Sequence, residues 1–285
     1  MTESILALQN VSYRYQDDTP ALDNCSLAIR RGSRTAVLGA NGAGKTTLFL
    51  HLNGILRPSA GQVLCGGIPL DYSRSGMRKL RSLVGLVFQN PDSQLFSASV
   101  REDVSFGPMN MGLDEKEVRK RVEDSLQAVG MTESADRPVH NLSYGQKKRV
   151  CIAGVLAMKP EILVLDEPMA GLDAAMQDEL MTVLDRLHAA GMTIVIATHD
   201  LDFAYGWADE GIIMESGRLL ADGSPTEILL REEVRSALGG APLVAEIIRR
   251  LLLIGIDLRD KGYLPRSKGE LLQAITAQIK QEDTP

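Results

Sequence analysis

Thr35-Ala36-Val37-Leu38-Gly39-Ala40-Asn41-Gly42-Ala43-Gly44-Lys45-Thr46-Thr47 decides the fold. The first four residues form a short apolar run that reads as a strand. Gly39 to Thr46 then fit the pattern G-x-x-x-x-G-K-[ST]. A helix is expected over 45–53, with Gly54 near its C-terminal end. In such a strand–loop–helix unit, the loop N–H groups and the positive helix N-terminus cradle phosphates. Lys45 would reach the β- and γ-phosphates, and the Thr46 hydroxyl would ligand Mg²⁺. The candidate nucleotide contacts in this segment are Gly39, Asn41, Gly42, Ala43, Gly44, Lys45, Thr46 and Thr47.

The same grammar recurs further along the chain. Ile162-Leu163-Val164-Leu165 leads into Asp166-Glu167, and an apolar run over 193–197 leads to His199. Runs that are apolar without alternation suit strands covered on both faces of a parallel sheet, and their alternation with helices predicts an α/β fold. Asp166 would enter the Mg²⁺ shell. Glu167 would polarise an attacking water as general base. Residues 5–8 and 25–29 read as short strands around a polar turn at 16–20. Residues 93–158 read as a helical insertion. Within it, Asp114-Glu115-Lys116-Glu117 can form a capping box, and Val118, Val122, Leu126 and Val129 follow at helical spacing. A second helix is expected over 143–157. Lys147, Lys148 and Arg149 on it read as a solvated helix face, with attraction to lipid headgroups as the alternative. From 231 the pattern is helical again, with nine basic and eight acidic residues. This tail reads as a separate small module, so the expected division is 1–230 and 231–285.

Composition excludes several classes. At 285 residues the chain has room for one large or two smaller domains. Its 44% hydrophobic and 24% charged residues are near the globular average, which argues against disorder. The most apolar segment, 251–256, is too short to span a bilayer and is flanked by charges. Met1-Thr2-Glu3-Ser4 does not read as the start of a secretory signal. Cys25, Cys65 and Cys151 are too widely spaced for a disulfide framework or a zinc site, and fit a reducing compartment. The net charge of −6 and 4% aromatics disfavour nucleic acid as a partner.

Further motifs carry a family resemblance. Leu142-Ser143-Tyr144-Gly145-Gln146, just upstream of Asp166-Glu167, resembles the L-S-G-G-Q signature of ATP-binding cassette (ABC) ATPases. Gln89 resembles the family's Q-loop, Gly171-Leu172-Asp173 its D-loop and His199 its H-loop. Tyr15 lies where the family places an aromatic that stacks on adenine, with Tyr13 competing for that position. The resemblance implies a P-loop NTPase core, an N-terminal antiparallel β subdomain and a helical insertion. ATP and Mg²⁺ are the implied cofactors, with Mg²⁺ held by Thr46, Gln89 and Asp166. Glu167, His199 and Lys45 are the implied catalytic residues. Ser143, Gly145 and Gln146 would close over the nucleotide of a second subunit, and Asp173 would lie in the dimer interface. Tyr144 departs from the usual glycine, which bears on backbone packing and turnover at the signature.

Phe88-Gln89-Asn90-Pro91 through Gly107-Pro108 resembles energy-coupling-factor (ECF) transporter ATPases. The stretch 142–158 is similar to their cobalt- and nickel-type subunits, a resemblance that implies ATP-powered uptake of a transition-metal ion, Co²⁺ ahead of Ni²⁺. These resemblances imply a homodimer on the cytoplasmic face of the membrane. Its partners would be a membrane-embedded coupling subunit and a substrate-binding membrane subunit. The segment around 89–108 would form the groove for the partner's cytoplasmic helices, and 231–285 would contribute to dimer contact. A vitamin importer is an alternative with the same engine. A soluble ABC ATPase acting on ribosomes or DNA is another, although a single cassette without a basic arm disfavours it.

Overall fold

The computed structural model describes residues 4–258 and 264–282. Met1-Thr2-Glu3, Arg259 in the charged flank of the apolar run, and residues 283–285 of the tail lie outside the described residues.

The chain opens with two long antiparallel strands, β1 (Ser4–Arg14) and β2 (Pro20–Arg30), followed by β3 (Arg34–Leu38) and α1 (Lys45–Leu52). β1 runs well past the expected end at residue 8. The reason is local: its register with β2 shifts between Leu8 and Val11, and Asn10 takes a left-handed φ of 50°. Such a bulge breaks the apolar alternation while the strand continues. Next come β4 (Ala60–Cys65), β5 (Ile68–Pro69), α2 (Arg74–Leu83) and β6 (Val84–Val87). The helical insertion contains α3 (Val100–Asn110), α4 (Glu115–Ala128) and α5 (Tyr144–Leu156). The strand–helix alternation then resumes with β7 (Ile162–Asp166), α6 (Ala174–Ala189), β8 (Thr193–Ala197) and α7 (Leu201–Trp207). β9 (Glu210–Glu215), β10 (Arg218–Gly223) and α8 (Pro225–Ile228) complete the cassette. The tail carries α9 (Glu232–Leu238), α10 (Leu243–Leu253) and α11 (Lys268–Glu282).

Two sheets result. One is antiparallel in the order β2-β1-β4-β5. The other runs β10-β9-β3-β8-β7-β6, with only the β9–β10 pair antiparallel. The central strands are apolar throughout because both faces are covered. Val37, Ile162, Val164 and Val195 face a core shared with β1, β2 and α1. Their neighbours Leu38, Leu163, Leu165 and Ile196 face the opposite core, shared with α5 and the tail. Period-2 alternation therefore sends successive residues into different cores, and each strand reads as one unbroken hydrophobic run.

The helical insertion sits between the hydrogen-bonded neighbours β6 and β7. Of the capping box expected at α4 only half forms. Asp114 accepts from the Glu117 N–H, but the Glu117 carboxylate turns to Arg121 and Lys159 instead. Two cations near that carboxylate compete with one backbone N–H, and they hold its pKa low. The tail is not free of the cassette. Val234, Val244, Ala245, Ile248 and Leu271 join the core that α5 and β7 share. Of the apolar run at 251–256, Leu251 and Ile256 pack on that core, while Leu252, Leu253 and Ile254 are exposed.

Candidate functional site

The site forms where the β3, β7 and β8 carboxyl ends open into loops, which is where ligands bind in open α/β sheets. A cavity of about 580 Å³ is lined there by Tyr15, residues 39–47, Gln89, Asp166, Glu167 and His199. Residues far apart in sequence are thus brought to one place by strand order.

The phosphate loop is tightly held. A Cβ on Gly39 would lie 2.4 Å from the Met214 carbonyl oxygen. Gly44, at φ 101°, precedes α1 with no side chain capping the helix, so its first N–H groups face the loop. A Cβ on Gly44 would lie 2.6 Å from the Ala21 carbonyl oxygen. Gly44→Ala therefore combines backbone clash with a disfavoured φ and is expected to cost about 1–3 kcal/mol. Thermal melting checks this as a clear fall in Tm; an unchanged Tm would show that the loop has room to relax.

Lys45 is buried, and its ammonium donates to the Gly39 and Ala40 carbonyls at 2.6 and 3.2 Å. Thr46 Oγ1 donates to Asp166 Oδ2 at 2.7 Å, joining the loop to the end of β7. Glu167 is buried, with its N–H on the Ala197 carbonyl of β8 at 3.0 Å. Its Oε2 lies 3.0 Å from His199 Nδ1. Since a carboxylate only accepts, Nδ1 is the donor in this pair. Glu167 has a φ of 46°, a left-handed conformation rare for a side-chain-bearing residue. Gln89 is exposed at the cavity edge.

Tyr15 faces the cavity, and its hydroxyl is 2.9 Å from Thr47 Oγ1. Tyr13, its competitor in the sequence, instead packs on the core with its ring edge-on to His51. Leu201 and, from the tail, Leu238 also line the cavity. Leu238 was not foreseen, since nothing local marks a tail leucine as a neighbour of the phosphate loop. The tail also grips α7: Asp202 accepts from the Leu243 N–H at 2.7 Å, and the Arg266 guanidinium donates to the Tyr205 and Ala208 carbonyls.

The signature residues stand apart from this cavity. Ser143, Gly145 and Gln146 line a separate shallow depression with Leu172 and Met176. Ser143 caps α5 in a full capping box: its Oγ accepts from the Gln146 N–H, and the Gln146 side chain accepts from the Ser143 N–H. Asp173 caps α6 by accepting from the Met176 N–H at 2.9 Å. Tyr144 packs its ring on Gly171, and its hydroxyl donates to the Gln89 carbonyl at 3.3 Å.

Two corrections follow on α5. Lys148 is not on a solvated face: it is 3% exposed, and burial pushes its pKa down to about 8. Lys147 and Arg149 are not freely solvated either: both are only partly exposed and pair with Asp92 and Glu179 at 2.7 and 3.2 Å. The missed signal was periodicity. Lys148 is three residues from Gly145 and Cys151 and four from Ile152, in phase with the buried face.

Elsewhere the candidate chemistry is quiet. The three thiols are free; burial raises the Cys25 pKa to about 11 and that of Cys151 to about 12. Among the described residues no cluster of three metal-ligating His, Cys, Asp or Glu occurs, and no helix is long and apolar enough to cross a membrane.

The fold and cavity together define a P-loop nucleotide-binding protein with a helical insertion. Residues 22–170 match the ABC transporter family model. The energy-coupling factor transporter ATP-binding protein EcfA of Methanothermobacter thermautotrophicus is 48% identical over 272 residues, which cover 95% of this chain and 88% of the relative. Among solved structures, cbiO1 from Clostridium perfringens, part of the ABC transporter complex cbiONQ, is 47% identical with a TM-score of 0.74, covering 89% of this chain and 98% of that one. The dimeric post-hydrolysis cassette MJ0796 bound to ADP and Pi is 26% identical with a TM-score of 0.70, covering 77% of this chain and 98% of that one. The chain belongs to the ABC transporter ATPases of the EcfA type, and is the ATP-binding, ATP-hydrolysing subunit of an energy-coupling-factor transporter.

Proposed function

We propose that this subunit works as a homodimer on the cytoplasmic face of the membrane and powers import of a transition-metal ion, cobalt or nickel. The observation that carries the hydrolytic mechanism is the convergence of Lys45, Thr46, Gln89, Asp166, Glu167 and His199 on one cavity. Loop N–H groups and Lys45 hold the phosphates, and Tyr15 offers its ring to the adenine. Glu167 accepts a proton from the attacking water. His199 fixes the rotamer of that carboxylate through the Nδ1–H bond. Thr46, Gln89 and Asp166 offer oxygen atoms only, and the hydroxyl and carboxylate already touch. That set fits Mg²⁺, which takes few protein ligands beside phosphate and water. When bound, the ion would neutralise charge on the phosphates.

A head-to-tail dimer is supported by the separation of Ser143 and Gly145 from the cavity of their own chain. The helix N-terminus of α5 is an anion site that a second subunit's nucleotide can use. Residues 1–230 act as the cassette, with 93–158 as its helical subdomain. The extension 231–285 adds dimer contact, for which Leu252, Leu253 and Ile254 offer exposed apolar surface.

The membrane coupling subunit docks in a second cavity of about 680 Å³ between α2, β6, α3 and α5, lined by Ile55, Met77, Phe88, Phe96, Phe106 and Met111. Phe96 and Phe106 meet edge to face at 4.7 Å and are half exposed or more. Exposed aromatics of this kind anchor interfaces. Phe106→Asp is therefore expected to weaken co-purification with the membrane subunits by about tenfold or more, while ATP binding stays intact. Full recovery of the complex would place the dock elsewhere.

The metal reading rests on the similarity of 142–158 to cobalt- and nickel-type subunits, and likeness to a cbiONQ component supports assembly with membrane subunits. Reconstitution with those subunits tests it: ATP-dependent uptake of Co²⁺ or Ni²⁺ is expected. Uptake of a vitamin alone would transfer the same engine to another cargo.

A further inference from the structure

The Lys148 ammonium is enclosed by three backbone carbonyls. It donates to Glu167 O at 3.0 Å, Pro168 O at 2.7 Å and Ala170 O at 2.9 Å. Three protons meet three acceptors, so this buried charge is fully hydrogen-bonded. All three acceptors lie on the loop that begins at Glu167, where the backbone is in its disfavoured left-handed conformation. A strained backbone persists only where its surroundings hold it. On one side, Glu167 is tied to β8 through the Ala197 carbonyl and to His199 through its carboxylate. On the other, the partner is Lys148, which belongs to the signature helix α5 and not to the sheet.

The Tyr144 ring lies 5.4 Å from the same ammonium, packs on Gly171 and reaches the Gln89 carbonyl through its hydroxyl. The residue that replaces the usual signature glycine thus covers the lysine and joins it to the loops on both sides. Signature helix, Gln89 loop and Glu167 loop meet in one cluster.

We propose that Lys148 is a positioning residue for ATP hydrolysis: anchored on the signature helix, its ammonium clamps the backbone of residues 167–170 and thereby sets the Glu167 carboxylate. This rests on the reading of Glu167 as general base. Movement of α5, the helix whose N-terminus faces a second subunit, is then transmitted directly to the carboxylate, without passing through the nucleotide. Lys148 does not line the nucleotide cavity of its own chain, and where it borders the signature depression its ammonium is turned to the three carbonyls, so its effect falls on the chemical step and not on ATP affinity.

The test measures kcat, KM and nucleotide affinity for the full-length chain and its Lys148→Met and Lys148→Arg variants, with a fluorescent ATP analogue reporting binding. Methionine keeps the length and removes the donors. Arginine keeps charge and donors. Lys148→Met is expected to lower kcat by about 10- to 100-fold, the scale of a misplaced catalytic group, with analogue affinity and KM within about twofold of wild type. Lys148→Arg is expected to recover most of the lost kcat. If Lys148→Met fails to fold, Lys148→Gln, which retains two of the three donors on a shorter side chain, takes its place, with a smaller loss of kcat, still more than about twofold, expected. A kcat within twofold of wild type in the donor-poor variant overturns the proposal. So does a parallel loss of kcat and affinity that arginine does not repair, since that marks general destabilisation. Glu167→Gln is measured alongside. If that variant still hydrolyses ATP, the base assignment fails; if it is inactive while Lys148→Met is fully active, only the clamp fails.

Discussion

Glu167→Gln is expected to lower ATP hydrolysis by about 10²- to 10⁴-fold, the range for a positioned general base, while ATP binding is retained. The substitution is nearly isosteric, and the amide can still meet His199. Backbone contacts that hold residue 167, from the Ala197 carbonyl and the Lys148 ammonium, are untouched. What is lost is the ability to accept a proton from water. Nucleotide then accumulates unhydrolysed, and size-exclusion chromatography with ATP is expected to show a dimer. A variant that is monomeric with ATP would sink the shared-site arrangement, and one that hydrolyses at the wild-type rate would sink the role of Glu167.

The second large effect concerns Ser143. In a head-to-tail dimer, each complete site combines Lys45 of one subunit with Ser143 of the other. Ser143→Arg removes the N-cap of α5 and places a long side chain where phosphate should approach, so each affected site is expected to lose about 10²- to 10³-fold in turnover, as when an electrostatic donor is removed. Mixed dimers separate the arrangements. With Lys45→Ala on one subunit and Ser143→Arg on the other, one site keeps both intact residues, and activity should survive at about half or less. With both substitutions on the same subunit and a wild-type partner, neither site is complete, and activity should collapse. The opposite pattern would mean that each chain uses its own signature. Purified dimers carrying distinct affinity tags allow the measurement.

Much of the site was legible because its signals are local. Gly39 to Thr46 specify a loop that only glycine can trace, and the apolar run ahead of it can only be a strand covered on both sides. Ser143 with Gln146 spans four consecutive residues, and the structure forms a reciprocal cap there that the sequence reading did not name. Tyr15 against Tyr13 was open, since both lie near the end of β1 and only the bulged register decides which ring meets the cavity. Lys148 was misread because three consecutive cations look like surface. Helical phase pointed inward, but the carbonyls that make burial tolerable lie 19 to 22 residues away on another loop.

From its sequence alone, this chain's class and its phosphate loop are determined, and Thr46, Gln89, Asp166 and Glu167 stand out as candidates for the Mg²⁺ shell and the general base, because each depends on a few residues in fixed spacing. Tertiary structure alone decided which of those residues share a cavity, that the tail leucine Leu238 joins them, and that a signature-helix lysine holds the backbone of Glu167. The physical reason is that hydrogen bonds to backbone carbonyls carry no side-chain signature. A carbonyl acceptor exists at every residue, and only folding selects the three that Lys148 meets.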